Sequence, residues 1–257
     1  MAVDSGSSNK RALITGGGRG LGAAIVRAVA GAGFDVTFTY RSSSAEAATL
    51  VAELEAAYPG QKFTTAALDL ADKAAVDAFA AEHGDAGPYA AFVHNSAETY
   101  DALAVMMDQD KAERLMQVNF FAFTKLAAAL TRSMMRARAG RIVAIGSITA
   151  IQANVGNAAY AASKAAVLGY VRTLAVESAR TGVTVNYVAP GFIDTAMLAP
   201  YADYRATMEK QIPLRRFART EEVAGTVAFL LSPQASYITG AVIPVDGGLS
   251  AALGIHR

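Results

Sequence analysis

Arg11-Ala12-Leu13-Ile14-Thr15-Gly16-Gly17-Gly18-Arg19-Gly20-Leu21-Gly22 is the stretch on which the fold turns. Residues 11–15 read as an apolar strand, and a helical pattern begins at Gly20. The glycines between them let the backbone turn tightly and approach a pyrophosphate with no Cβ in the way. The helix start then offers free N–H groups and the positive end of a dipole to an anion. The spacing is not the common G-x-G-x-x-G. It is Thr-Gly-x-x-x-Gly-x-Gly, with Gly16, Gly20 and Gly22 in the fixed places and Arg19 and Leu21 between them. A strand before and a helix after make this run a dinucleotide cradle; the alternative is a plain glycine turn.

Outward from the cradle, short β-branched or apolar runs alternate with Ala-rich helical stretches. Strands are expected at 11–15, 35–40, 62–68, 91–94, 141–146, 183–188 and 241–245. Helices are expected at 20–32, 44–58, 71–83, 111–136, 159–180 and 220–231. This βαβα alternation predicts an α/β fold, a parallel sheet doubly wound with helices on both faces. Runs such as Ile142-Val143-Ala144-Ile145 are apolar without alternation, as strands buried on both sides should be. Residues 192–213 break the rhythm. They are mixed and Met/Tyr-bearing, which suits a mobile flap over a site. No linker or short repeat divides residues 10–257, so one domain is expected.

Composition narrows the function. A chain of 257 residues that is 53% hydrophobic has ample material for a large core. A formal charge of +1 suggests neither nucleic acid nor an acidic membrane as partner. The absence of Cys excludes disulfides, thiolate metal sites and a cysteine nucleophile. Three His, at 83, 94 and 256, have no metal-ligand spacing, so no catalytic metal is expected. Residues 1–9 lack the basic and apolar blocks of a signal peptide and read as a flexible tail. No uncharged apolar run reaches membrane-spanning length. A cytoplasmic location is the default.

The second strand ends Thr39-Tyr40-Arg41-Ser42-Ser43-Ser44. An NAD site usually places an acid here, to accept from the ribose 2′-hydroxyl. Arg41 and Ser42, with Arg19 in the glycine loop, suit a 2′-phosphate instead, so NADPH is favoured over NADH. The alternative is that Arg41 is solvated loop charge. Asp69 and Leu70 follow the third strand, where a carboxylate could meet an adenine edge or merely cap a helix. The fourth strand ends His94-Asn95-Ser96-Ala97, with small residues beside the expected cofactor path.

A catalytic group follows. Tyr160-Ala161-Ala162-Ser163-Lys164 places a phenol and an ammonium on one helical face. A fixed cation beside the phenol is expected to lower its pKa from about 10. Ser147 closes the strand at 141–146, where open α/β sheets bind their ligands. A buried Tyr and a surface Lys that merely share a helix are the alternative.

Assembled, these residues make the chain resemble the short-chain dehydrogenase/reductase family from about Lys10 to Leu249. The marks are Thr15-Gly16-x-x-x-Gly20-x-Gly22, Asp69, Asn95, Asn119, Ser147, Tyr160-x-x-x-Lys164, Asn186, Pro190-Gly191 and Thr195. Within the family, residues 190–197, Tyr237-Ile238-Thr239-Gly240 and Val245-Asp246-Gly247-Gly248 look most like bacterial 3-oxoacyl-acyl-carrier-protein reductases. The resemblance implies a Rossmann-type fold with a seven-stranded parallel sheet, and a homotetramer. It implies Tyr160 as proton donor, Ser147 as a hydrogen-bond donor to the same carbonyl oxygen, and Lys164 as holder of the nicotinamide ribose. It also implies that Asn119 anchors a relay water and that Thr195 and Ile193 meet the carboxamide. Arg138 falls where those reductases carry a carrier-docking arginine; a second aligns with Thr181, with Arg180 adjacent. One departure is His94-Asn95-Ser96-Ala97 in place of Asn-Asn-Ala-Gly, followed by Glu98.

Gln152, Asn157 and Met197 are candidate substrate contacts, beside Asn154, Leu198 and Tyr201. The leading expectation is NADPH-dependent reduction of a 3-oxoacyl thioester on an acyl carrier protein. A reductase of a free small ketone, alcohol or sugar is the second. A non-catalytic dinucleotide-binding sensor or scaffold is the third. Turnover of a carrier thioester, and turnover of any ketone at all, separate the three.

Overall fold

A computed structural model describes residues 10–252, without the side chains of Met197 and Pro200. The tail expected at residues 1–9 lies outside the described residues. Seven strands form one parallel sheet in the order β3-β2-β1-β4-β5-β6-β7. They are β1 Lys10–Thr15, β2 Phe34–Tyr40, β3 Phe63–Ala67, β4 Ala91–His94, β5 Gly140–Ile145, β6 Val183–Pro190 and β7 Val242–Val245. The α-helices are α1 Gly20–Gly31, α2 Ser44–Ala57, α3 Lys73–Asp85, α4 Gln109–Met116, α5 Ala122–Ala137, α6 Ala158–Ser178, α7 Arg205–Gln211 and α8 Thr220–Leu231. This is the doubly wound Rossmann-type α/β fold expected.

Residues within one strand face opposite ways, and each face has its own core. From β1, Ala12 and Ile14 join α1, α2 and α8 residues such as Val26, Leu50 and Val227. Leu13 turns the other way and packs with Phe79 of α3, Phe123 of α5 and Val171 of α6. A strand between two helical layers must be apolar on both sides, which explains the unbroken hydrophobic runs. The strand order reverses between β1 and β4, so the chain ends diverge there and open a crevice at the carboxyl ends of the strands.

Two expectations about elements need correction. The single helix expected over residues 111–136 starts earlier, at Gln109, where the Asp108 carboxylate accepts from Lys111 N. It is also interrupted by a π-helical turn, Gln117–Phe121, in which Ala122 N donates to Gln117 O. Periodicity over 26 positions cannot register one extra residue in a turn. The second correction concerns 192–213, which is not irregular. It carries a 3-10 segment, Ala196–Tyr204, and then α7. Its base is pinned by Asp194 N to Ala218 O, Ala218 N to Phe192 O, and a bidentate Arg205–Asp194 pair at 2.8 Å. A 3-10 turn with Pro and Tyr has no 3.6-residue periodicity to read.

Candidate active site

The glycine loop is built as a cradle. Gly16 has φ +67°, and a Cβ there would lie 2.6 Å from Ser96 Oγ. Gly22 is tighter still: a Cβ would meet Gly16 O at 1.8 Å, so α1 packs directly on the loop. Gly20 has φ +53° and faces Thr195 Cγ2, 3.9 Å from its Cβ position. Thr195 therefore stands across the crevice from the loop. Arg19, the residue before α1, makes no capping bond with its side chain. The first-turn N–H groups are thus left for an anion, and the loop fits a pyrophosphate. Leu21 packs half-buried on the core beneath, while Arg19 is exposed at the rim.

The end of β4 is sewn to this loop. Asn95 Nδ2 donates to Gly16 O at 3.0 Å and to Thr15 O at 3.3 Å. Asn95 N and Ser96 N both donate to Thr15 Oγ1. With both lone pairs engaged, the Thr15 hydroxyl proton goes to His94 Nδ1, 3.1 Å away. That fixes the Nε2–H tautomer, and Nε2 has no polar partner. Burial, and behind it the Lys164 charge, push the His94 imidazole down to about 3. Against the first Asn of the family pattern, this chain keeps a neutral histidine packed 4.9 Å from the Phe123 ring.

Arg41 and Ser42 are exposed at the carboxyl end of β2, as a 2′-phosphate site requires. Arg41 pairs with Glu98. Asp69 is not a helix cap: its Oδ1 accepts from Ala71 N at 3.0 Å, and Asp72 caps α3. Leu70 is buried, and its carbonyl accepts from Gln117 Nε2. Pro190 is buried at the end of β6, and Gly191 N donates to Val245 O. Ile193 bridges to Ala218, which holds the turn leading to Thr195.

The catalytic candidates converge at the ends of β5 and α6. Ser147 Oγ accepts from Thr149 N at 3.1 Å and from Thr149 Oγ1 at 2.9 Å. Both its lone pairs are taken, so the Ser147 hydroxyl is left as a donor. Lys164 is 1% exposed, its Nζ donating to Ile145 O at 2.9 Å and lying 5.7 Å from the Tyr160 ring centroid. Asn119, fully buried in the π turn, accepts from Glu98 N and donates to Glu98 O and Ser163 Oγ. Both its amide protons are therefore engaged within the protein.

The expected lowering of the Tyr160 phenol does not hold in this state. Burial pushes it up to about 12, against a weaker downward pull from the Ser147 hydroxyl. Lys164, itself lowered to about 8 by burial, directs its ammonium at a carbonyl and not at the phenol oxygen. Sequence spacing puts the two on one face but does not set the end-to-end distance. A protonated phenol at neutral pH is the form a proton donor needs.

Gln152, exposed, donates to Ser250 O at 2.7 Å. Asn157 receives Asn154 Nδ2 and gives its own amide proton to Asp101 Oδ1 at 2.6 Å. Tyr201 of the 3-10 segment donates to the other Asp101 oxygen. The Met197 side chain lies outside what the structure describes. Arg138 and Arg180 are elsewhere. Arg138 ends α5 at φ +53° and donates to Arg180 O, at the amino ends of β5 and β6. A six-residue strand spans about 20 Å, so in one chain this arginine pair sits a sheet's length from Ser147.

Four residues were not singled out from sequence. Tyr187 on β6 accepts from Ser147 N at 3.0 Å and reaches Lys164 O at 3.2 Å. A Cβ at Gly146 would overlap its ring, at 1.7 Å, so Gly146 makes room for it. A tyrosine in a doubly buried strand was the available signal, because its hydroxyl must find a partner. Thr149, Ser163 and Asp101 carried no such mark. Among the described residues, no group of three or more His, Asp or Glu could hold a metal ion, and no helix is long and apolar enough to cross a membrane.

A glycine cradle at a switch-point crevice, with Ser147, Tyr160 and Lys164 beside it, defines a dinucleotide-dependent oxidoreductase. A family model described as enoyl-(acyl carrier protein) reductase matches residues 16–250. The chain belongs to the short-chain dehydrogenase/reductase family. The 3-oxoacyl-acyl-carrier-protein reductase MabA of Mycobacterium tuberculosis strain H37Rv is 38% identical over 243 residues, 94% of this chain and 93% of its own. The reductase FabG of Escherichia coli strain K12 is 36% identical over 242 residues, 93% of this chain and 97% of its own. A blue fluorescent protein from a metagenomic library, solved in complex with NADPH, superposes with TM-score 0.87 at 38% identity, covering 93% of this chain and 97% of its own. A short-chain dehydrogenase/reductase from Serratia marcescens does so with TM-score 0.87 at 33% identity, covering 94% and 98%.

Proposed function

We propose that this chain reduces a 3-oxoacyl thioester, carried on an acyl carrier protein, to the 3-hydroxyacyl product with NADPH. The observation that carries it is the placement of Ser147 and Tyr160. A hydroxyl left as a donor, which reaches the phenol oxygen in this structure, and a protonated phenol stand together at the carboxyl end of β5, beside the glycine cradle. Two O–H donors at one point suit an oxygen that gains charge. Curated relatives of that activity cover nearly the whole chain.

Gly16, Arg19, Gly20, Leu21 and Gly22 would hold the pyrophosphate, and Arg41 with Ser42 the 2′-phosphate. Asp69 and Leu70 would border the adenine and Asn95 the riboses. Pro190, Gly191, Ile193 and Thr195 would border the nicotinamide, with Tyr160 and Lys164 on its ribose. The bound cofactor supplies the hydride. Ser147 holds the carbonyl oxygen, and Tyr160 Oη delivers its proton to that oxygen as charge develops. Lys164, with its ammonium fixed on Ile145 O, supplies the positive field. Asn119 fixes the loop after β4 against α6; with its amide protons engaged, any water it anchors must be met by its remaining lone pair or its main chain. Gln152, Asn157 and Met197 border the acyl path.

The same reading makes the enzyme a cytoplasmic homotetramer. The tetramer is supported by exposed Phe121, at the end of the π turn before α5, and exposed Val176 of α6, apolar positions on the helical segments expected to pair. Turnover tests the substrate. Loss of reduced-nicotinamide absorbance is followed with 3-oxoacyl-, 2-enoyl- and simple ketone substrates, carrier-bound and free. The proposal expects the highest kcat/KM with the carrier-bound 3-oxoacyl chain. A preference for the enoyl thioester would transfer the activity to the one the family model's description names. A preference for free ketones would support the second reading, and no turnover of any would support a silent binding protein.

A further inference from the structure

We infer that Glu98 is a competing anion for the 2′-phosphate site, a cofactor-discriminating residue parked between two arginines. The inference rests on the NADPH reading above. Glu98 follows β4, and Arg41 follows β2. β1 lies between those strands, so their contact spans two strand spacings, about 10 Å, over the end of β1. That is the switch-point crevice, directly above the glycine loop. The same Glu98 carboxylate also receives Arg114 of α4, Nε at 3.2 Å and Nη2 at 3.1 Å. Its backbone is not free to wander: Asn119 binds both Glu98 N and Glu98 O, at 2.9 and 3.0 Å. The side chain can therefore swing between partners while its main chain stays put.

The chemistry follows from charge. Arg41 has one fork, and a carboxylate and a phosphate compete for it. A 2′-phosphate arriving at Arg41 displaces Glu98, and Arg114 keeps the displaced carboxylate paired. A cofactor with a 2′-hydroxyl gains no such partner at Arg41. Glu98 thus weakens 2′-phosphorylated ligands and leaves the others alone, and Arg114 softens that penalty.

Equilibrium titrations of the purified chain test this, using nicotinamide fluorescence for NADPH and NADH and calorimetry for 2′,5′-ADP against 5′-AMP. Exposed ion pairs of this kind shift affinities by about two- to five-fold. Glu98→Gln is expected to tighten NADPH and 2′,5′-ADP by that factor, with NADH and 5′-AMP unchanged. Arg114→Ala should weaken NADPH about two-fold, and adding Glu98→Gln to it should restore the Glu98→Gln value. In an Arg41→Ala background the Glu98→Gln effect should vanish. Weaker or unchanged NADPH in Glu98→Gln, or an equal change for both cofactors, would overturn the inference. The cofactor reading fails separately. If the wild-type chain binds NADH as tightly as NADPH, that reading is wrong; if Arg41→Ala loses the preference while Glu98→Gln changes nothing, only the role of Glu98 is.

Discussion

At the scale of single residues, burial governs the titrating groups here. Tyr160 stays protonated up to about 12, so its value to a reductase is as an acid ready at neutral pH. Tyr160→Phe removes the proton proposed to be transferred to the carbonyl oxygen. We expect kcat to fall by about 10²- to 10⁴-fold, with NADPH still bound in fluorescence titration. A variant retaining wild-type kcat would remove the phenol from the mechanism. His94 makes a different prediction. Its imidazole titrates near 3 folded and near 6.5 unfolded, so below 6.5 the unfolded chain binds the extra proton. Stability is complete above 6.5 and is lost as pH falls toward 3, by up to about 5 kcal/mol from this group. Urea midpoints of wild type and His94→Asn should converge or cross on acidification from pH 7 to 4.5; parallel curves would acquit the histidine.

At the scale of elements, the site is a meeting of β4, β5, β6, the π turn and α6. Tyr187 is the post at that junction, receiving Ser147 N and reaching Lys164 O. Tyr187→Phe keeps the ring and strands the buried Ser147 N–H, a cost of about 1–3 kcal/mol. Beyond that loss, visible in chemical denaturation, Ser147 should lose its fixed position. We expect kcat to drop about ten-fold with KM nearly constant, the signature of an interaction that matters most in the transition state. An unchanged kcat would reduce Tyr187 to a packing role. The π turn serves the same junction, because one added residue brings Asn119 inward to clamp Glu98 and Ser163.

At the scale of the whole molecule, the site's polar groups set the pH range of stability. An unfolded lysine holds its proton to about 10.4, and folded Lys164 releases it near 8. Between these values the unfolded chain binds more protons, so stability rises with pH. The full penalty, about 3 kcal/mol, applies below 8. Above 10 the order reverses for Tyr160, whose folded form keeps its proton longer. Lys164→Met should therefore be more stable than wild type at pH 7 and lose that advantage by pH 10 in denaturant titrations. A constant difference would show that Lys164 keeps its charge when folded. Arg138 belongs to this scale as well. It stands at the opposite end of β5 from its own Ser147, so Arg138→Glu should raise KM for carrier-bound substrate only if another subunit brings the arginine to the site. An unchanged KM in a confirmed tetramer would remove Arg138 from docking.

The local order of the chain was legible in residue patterns. All seven strands, the cradle and the Tyr160–Lys164 helix appear where apolar runs, glycines and spacing place them, because these depend on neighbours within a few residues. The π turn and the helical flap were not legible, since neither keeps a 3.6-residue period. Nor were the partners that cross the sheet: Glu98 with Arg41, Tyr187 with Ser147, Asn119 with Ser163. Those pairs lie dozens of residues apart in the chain, and only the strand order brings them together. The direction of the Tyr160 shift was decided the same way. Four residues of spacing show that a cation is near; the surrounding burial and the carbonyl that claims the ammonium are properties of the folded packing alone.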